Sequence, residues 1–414
     1  MKETSTDCCI VGGGPAGMML GFLLARAGVD VVVLEKHADF LRDFRGDTVH
    51  PSTLELMHEL GLLEDFLRRP HQPVRQIGAQ IGETRLSIAD FTHLPTHAKF
   101  IAFVPQWEFL NFIAEHGQKY PEFHLRLQTE MLDLTEENGR VTGVRAKTPS
   151  GELIVRSALV VGADGRHSIV RERAGLKVVD KGAPMDVLWL RISRQASDPA
   201  ISLGRIDAGR MLVMINRGHY WQCAFLIPKG TAEQVKTRGM STFREELARL
   251  VPYFRDRVQE LKGWDDVKLL TVKVDRLETW HKPGLICIGD AAHAMSPIGG
   301  VGINLAVQDA VAAANILAAP LAAGQPLTPF LQQVQERRTF PTQVTQRIQV
   351  FAQNSVISRV LSSHQPIKVS SILKLMQRWP VLQRIPARLI GLGVRPEHVR
   401  TPDVHLQRKT AIAS

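Results

Sequence analysis

Residues 7–35 read DCCIVGGGPAGMMLGFLLARAGVDVVVLE, and this stretch decides the fold. Asp7 to Val11 is a short apolar strand, and Gly12 to Gly17 is a turn that opens a helix running from Met18 to Ala27. Gly28 ends that helix, and Asp30 to Leu34 is a valine-rich second strand of the kind a parallel sheet buries. The order is a βαβ unit. Within the turn, Gly12 permits the tight bend, Gly14 lets a pyrophosphate approach the backbone, and Gly17 lets helix and sheet pack closely. Ala16 lies inside the same turn. The helix start then offers free N–H groups and a partial positive charge to phosphates. Glu35 closes the second strand 18 residues after Gly17, where a carboxylate can accept hydrogen bonds from both ribose hydroxyls of an adenosine. An unphosphorylated ribose follows, hence FAD or NAD rather than NADP at this site.

Outward from that unit, the 414 residues hold two or three domains at about 150 residues each. Hydrophobic residues at 44% and charged residues at 22% are globular proportions, which excludes disordered, collagenous and coiled-coil chains. Four cysteines without CxxC or Cys/His spacing exclude a disulfide scaffold and argue against structural zinc. The net charge of +10 is uneven: residues 331–414 hold 13 Lys+Arg and 3 Asp+Glu, so the first 330 residues are neutral. The basic balance belongs to the tail and gives no case for nucleic acid. Cys8 to Ala25 lacks charge, but five glycines and Pro15 interrupt it. The uncharged run from Ala310 to Gln335 contains Pro320, Gly324, Pro326 and Pro329. Neither reads as a signal peptide or a membrane span, and a soluble cytoplasmic protein is expected.

Apolar spacing predicts helices over 53–68, 107–116, 231–262 and 303–317. Strands are expected around the Glu137-Asn138-Gly139 turn within 125–145, over 153–161, and at 285–288. Short strands and loops fill 71–100. Segments 187–193, 211–216 and 220–227 have antiparallel character, and the remainder is helical with proline punctuation.

Residues 285–304 read LICIGDAAHAMSPIGGVGIN. Gly289 allows close backbone approach at a strand end, and Asp290 offers a carboxylate to a sugar-like hydroxyl chain. Pro297 stiffens a loop whose Gly299, Gly300 and Gly302 bare the N-terminus of the next helix, followed by Asn304. Such a helix start favours negative charge, as a reduced flavin carries around N1 and C2=O. A third motif, VGADGRHSIVR at 161–171, contains Asp164 and ends in Ser168 and Arg171.

Together the three motifs resemble those of the class A flavoprotein monooxygenases, the p-hydroxybenzoate hydroxylase family. They stand in family order and cover about residues 7 to 320. The resemblance implies an α/β fold: a Rossmann-type FAD-binding domain with an inserted antiparallel β-sheet substrate domain and a helical C-terminus. It places the discontinuous FAD domain at 1–70, 101–180 and 270–330, the substrate domain at 71–100 and 181–269, and a basic helical segment at 331–414. It implies that NADH or NADPH reduces FAD, that O2 is trapped as a flavin C4a-hydroperoxide, and that oxygen passes to an aromatic ring. The cofactor carries this chemistry while the protein positions it and excludes water.

By position the resemblance also marks Arg45 near the FAD phosphates, Gln106 at a helix start near the FAD ribose, and Met131 with its backbone at the adenine. Asp164 is marked in the segment that serves FAD and the nicotinamide donor. The substrate pocket is expected between flavin and sheet, with Trp189, Met214, Tyr220 and Gln222 on one side and Pro297 on the other. His50 is either a base toward a phenol or a loop histidine with a local hydrogen bond. Without paired arginines on the sheet, a neutral aromatic or polycyclic phenol is the expected substrate. A reductase of the same superfamily and a non-catalytic flavin-bound sensor are the rival readings. For the tail, Ile372, Leu375 and Met376 share a helical face away from Lys368, Lys374 and Arg378, and Pro380 and Pro386 break the segment. Weak contact of 367–414 with anionic lipid is one use. A cover over the FAD domain with a solvated basic face is the other, and the prolines favour it.

Overall fold

The computed structural model describes residues 2–41, 47–199, 203–363 and 365–407. β1 (Lys2–Val11), α1 (Pro15–Arg26) and β2 (Val31–Leu34) form the expected βαβ unit, and β1 pairs in parallel with both β2 and Gly151–Gly162. Leu285–Cys287 adds to one side and Phe123–Arg126 to the other, both parallel. A meander of Glu130–Glu137 and Arg140–Thr148 extends from the first half of Gly151–Gly162. Its turn is the expected one, with positive φ at Asn138 and Gly139. One face of this sheet packs on α1, Gln106–Gly117 and Gly302–Ala322; the meander covers the other.

The second sheet has seven strands in the order Lys268–Leu270, Met185–Ser193, Tyr220–Pro228, Arg210–Asn216, Leu203–Asp207, Gln76–Ile81, Thr84–Asp90. It is antiparallel except where Leu203–Asp207 meets Gln76–Ile81. One face carries Met240–Leu250, with Phe243 and Leu247 packed on Leu190, Met214 and Cys223. The opposite face, with Val187, Trp189 and Ala224, meets Ile298 of the glycine-rich loop.

Three expected helices differ in extent. The helix over 53–68 is two pieces, Pro51–Glu59 and Leu63–Leu67, because Gly61 between them takes a left-handed φ of +71°. The helix over 231–262 divides at Gly239, φ +89°, and gives way to single 3-10 turns after Leu250. The helix from Ile303 runs to Ala322, five residues beyond Leu317. Ile298–Ala322 contains an 18-residue stretch of mean hydropathy 1.5, apolar enough to cross a bilayer, yet 72% of that stretch is buried inside the protein, as a core helix is.

After the long Thr328–Ala352 helix, the short helices Ser371–Arg378 and Arg384–Gly391 pack on Thr84–Asp90. They cover the edge of the second sheet, which corrects the expected cover over the FAD domain. Pro380 breaks the segment as expected, whereas Pro386 sits in the first turn of Arg384–Gly391, where its missing N–H has no helical partner to lose. The last described residues form a strap. Glu397 binds Arg337 and Arg338, Val399 N donates to Glu59, Arg26 donates to Thr401 O, and Tyr120 donates to Asp403.

Candidate functional site

The turn after β1 is built by exclusion. Gly12 has φ +112°, and a Cβ there would lie 2.4 Å from Ala163 O. A Cβ on Gly17 would lie 2.0 Å from Gly12 O, so only hydrogen lets α1 sit this close to the strand. Gly14 differs: its added Cβ would meet nothing nearer than Ala163 O at 3.9 Å. The middle glycine therefore faces open space beside the first N–H groups of α1, where a phosphate fits. Glu35 accepts from Gly13 N at 3.0 Å and from His37 N at 3.0 Å, which brings its carboxylate to the rim of that space. Thr129 N donates to Glu35 O at 2.9 Å, so the chain leading to Met131 runs beside it. The Met131 side chain is buried with Cys9, Val32 and Leu34.

The glycine-rich loop joins the same space. Gly289, φ +59°, is wedged so that a Cβ would lie 3.1 Å from Ala16 Cβ and 3.2 Å from Ala306 Cβ. Its N–H donates to the buried carboxylate of Asp309 at 3.0 Å. Asp309 also holds His293 Nε2 at 2.5 Å and Arg338 Nε at 2.8 Å. Burial alone would raise this carboxyl, but His293 and Arg338 hold it below the usual carboxylate range. Downstream, a Cβ on Gly300 would lie 2.4 Å from Thr48 Oγ1, while Gly302, at the helix start, has nothing within 4 Å. Pro297 precedes the 3-10 turn Ile298–Gly300. Asn304 is fully used: Oδ1 accepts from His50 N and Thr53 Oγ1, both at 2.8 Å, and Nδ2 donates to Thr48 O at 3.1 Å and Gly300 O at 3.3 Å. It fastens the loop to the Thr48–Thr53 segment.

Asp164 turns its carboxylate onto its own helix. Oδ1 accepts from Ser168 Oγ at 2.5 Å, and Oδ2 accepts from Ile169 N at 2.7 Å and Val170 N at 3.1 Å. Burial raises its pKa despite these bonds. The group this motif turns toward Asp290 is Arg166, whose Nη2 donates to Asp290 Oδ2 at 3.2 Å. Arg166 Nη1 is buried without a protein partner. Arg166 stood inside the quoted motif, and its guanidinium was the signal passed over.

Gln106 and Gln222 meet at a residue absent from the sequence reading, Asp47. Its Oδ1 accepts from Gln106 N at 3.3 Å and its Oδ2 from Gln222 Nε2 at 2.7 Å, while Arg217 forms an ion pair with it. Burial pushes the Asp47 carboxyl up against the lowering pull of Arg217 and Gln222. Tyr220, Gln222 and Trp189 share the face toward the glycine-rich loop, as the pairing of Ser193 with Tyr220 and Arg191 with Gln222 requires. Met214 does not. It pairs with Cys223 and belongs to the opposite, helix-covered face, so its expected place in the pocket wall is corrected by strand alternation. Arg45 lies outside the described residues.

His50 is wholly buried, and its hydrogen bond is not local: Nδ1 lies 2.7 Å from Ile390 O. A carbonyl only accepts, so Nδ1 carries the proton. Nε2 is left as a lone pair without a protein partner. Burial pushes the ring down to about 4. An unfolded chain protonates this histidine below its ordinary value near 6.5, while the folded ring stays neutral until about 4. Stability should therefore fall as pH drops through that window, by up to about 3 kcal/mol. His50→Gln should flatten that part of the urea-denaturation profile; an unchanged slope would refute the assignment.

Residues 5–348 match the family profile described as an FAD binding domain. The chain is 33% identical over 391 residues, 92% of each chain, to the 6-methylpretetramide 4-monooxygenase of Streptomyces rimosus. It belongs to the FAD-dependent monooxygenases. This monooxygenase is also 27% identical to the rifampicin monooxygenase of Streptomyces venezuelae, over 73% of its own length and 62% of that protein's. Its fold matches pqsL of Pseudomonas aeruginosa, a probable FAD-dependent monooxygenase, with a TM-score of 0.73 at 22% identity, covering 87% of this chain and 97% of that one. It matches OxyS anhydrotetracycline hydroxylase of Streptomyces rimosus with a TM-score of 0.74 at 24% identity, covering 95% and 77%. The resemblance to the class A aromatic hydroxylases is thus borne out, and FAD is the cofactor. The open faces of Gly14 and Gly302 and the unpartnered Arg166 Nη1 offer space and a donor that fit an FAD.

Proposed function

We propose that this monooxygenase hydroxylates a neutral aromatic or polycyclic phenol, with NADH or NADPH as electron donor and O2 as co-substrate. Bound FAD supplies hydride acceptance and oxygen activation. The chain supplies the rest. Gly12, Gly14, Ala16, Gly17 and the start of α1 take the pyrophosphate, while Glu35 takes the adenosine ribose and the Met131 backbone the adenine. Gln106 takes the FAD ribose region, and Asp290 with Arg166 takes the sugar-like hydroxyl chain. Pro297, Gly300 and Gly302 take the flavin ring, with Gly289, Asp164 and Asn304 holding the surrounding backbone. Trp189, Tyr220 and Gln222 form the substrate wall, and His50 Nε2 accepts a hydrogen bond from the phenol. A ring with a pKa of about 4 does this as a neutral acceptor rather than as a proton store.

The neutral substrate rests on one observation: the cations of this wall are already engaged. Arg217 is paired with Asp47, and Arg191 lies 5.2 Å over the Tyr220 ring. The two sheets support the division into an FAD unit (1–70, 101–180, 270–330), a substrate unit (71–100, 181–269) and a C-terminal segment (331–414). Four buried, free thiols support a cytoplasmic setting.

The test is NADH and NADPH oxidation by the FAD-loaded protein with a panel of phenols and polycyclic aromatics. One compound should accelerate oxidation and appear as a hydroxylated product. Oxidation at one rate across neutral phenols and carboxylates alike, without product, would favour the reductase or sensor readings.

A further inference from the structure

The short helices Ser371–Arg378 and Arg384–Gly391 each have a locked inner face and a bare outer one. On the inner side, Gln377 exchanges two hydrogen bonds with the Ser87 backbone, at 3.1 and 2.7 Å, and Gln383 accepts from Ser87 Oγ at 2.9 Å. Leu373 packs on the cluster of Ala79, Ile81 and Leu86, and Ala387 is fully buried beside Phe91 and Leu94. The outer side carries large apolar groups into solvent: Ile372 is 72% exposed, Leu375 50%, Trp379 58%, Val381 53% and Ile385 62%. Exposed cations flank them at helical spacing, Lys374 with Arg378 and Arg384 with Arg388. From 337 to 396 the chain has ten Lys and Arg and no Asp or Glu.

We propose that the outer face of residues 371–389 rests on an anionic lipid surface. The charge is complementary to such a surface and unrelieved by any acid in the segment. Trp379 and the aliphatic ridge suit the headgroup and acyl boundary, and the lysine and arginine stems extend to the phosphates. A protein partner fits less well, because protein interfaces seat their apolar anchors in pockets, whereas these side chains project singly from short helices. The same segment backs onto the site. Ile390 O holds the His50 ring, and Ile390 and Leu392 pack in the cluster that includes Trp189. Lipid contact would therefore set the flank of the substrate pocket against a membrane. The proposal stands independently of the hydroxylase reading, since it is read by binding alone.

The FAD-loaded full chain should co-sediment with phosphatidylglycerol-containing phosphatidylcholine vesicles, bind phosphatidylcholine vesicles far more weakly, and be released by salt. Each of Lys374→Gln, Arg378→Gln, Arg384→Gln and Arg388→Gln should weaken binding about fivefold. Ile372→Ser with Trp379→Ser should weaken it further without moving the melting temperature, because both side chains are exposed. Vesicles should blue-shift the tryptophan emission, and Trp379→Phe should remove that shift. Absence of binding to anionic vesicles, equal binding to neutral ones, or full binding by the four-glutamine variant would overturn the proposal. Concentration-dependent dimerisation abolished by Trp379→Ser would also overturn it and assign the face to a second copy.

Discussion

Gly17→Ala is expected to purify without flavin and without activity, while Gly14→Ala is expected to fold normally and lose only FAD affinity. The two glycines sit three residues apart in one turn, yet their surroundings differ sharply. At Gly17 a methyl group would overlap Gly12 O at 2.0 Å, and backbone cannot rotate aside as a side chain would. α1 must lift from β1, at a cost above the about 1–3 kcal/mol of ordinary core overpacking. At Gly14 the methyl group enters open space, so stability stays within about 0.5 kcal/mol of the parent. The space it enters is the one assigned to pyrophosphate. Thermal melts of the apo forms and FAD titration separate the two effects. Parent-like FAD affinity in Gly14→Ala would show that the phosphates lie elsewhere.

The second large effect is expected at Asp309. Asp309→Ala leaves His293 buried without its carboxylate, leaves Arg338 with Glu397 alone, and removes the acceptor of Gly289 N. Breaking a buried charged pair from one side costs about 3–5 kcal/mol, and chemical denaturation of the holoenzyme should read a loss of that size. The sign with pH follows from the depressed carboxyl. Its contribution is complete above the ordinary carboxylate value near 4 and disappears as acid titrates the folded group below it. Asp309→Asn should therefore be less stable than the parent at neutral pH, with the gap narrowing in acid. A gap that widened toward acid would mean that Asp309 is neutral in the folded protein.

These two sites mark how far the chain could be read before its structure. Gly12, Gly14, Gly17 and Glu35 were legible because the constraint is local: a turn, a helix start and a strand end within 29 residues. The glycine-rich loop was legible for the same reason. Met214 was misplaced because strand alternation assigns a face only once the register is known, and its pairing with Cys223 puts it on the helix side. Asp164 was legible as a motif member but not as an acceptor for the first N–H groups of the following helix, which Ser168 caps, since such an acceptor and a ligand share one residue type. Asp47 and Arg217 were invisible: 170 positions separate them, and each alone is an ordinary loop charge. His50 showed its chemistry but not Ile390, its partner 340 residues away.

The C-terminal strap has a consequence for the order of synthesis. Arg26, Glu59 and Tyr120 leave the ribosome well before their partners Thr401, Val399 and Asp403, which lie 375, 340 and 283 residues further along the chain. The Leu285–Cys287 strand and the Gly302–Ala322 helix, which complete the sheet and its cover, also arrive late. The N-terminal unit therefore emerges with an open edge and an uncovered face, and these close only after the later segments have followed. A chain stopped before residue 285 would carry the dinucleotide turn without the strand and helix that complete its sheet and cover it.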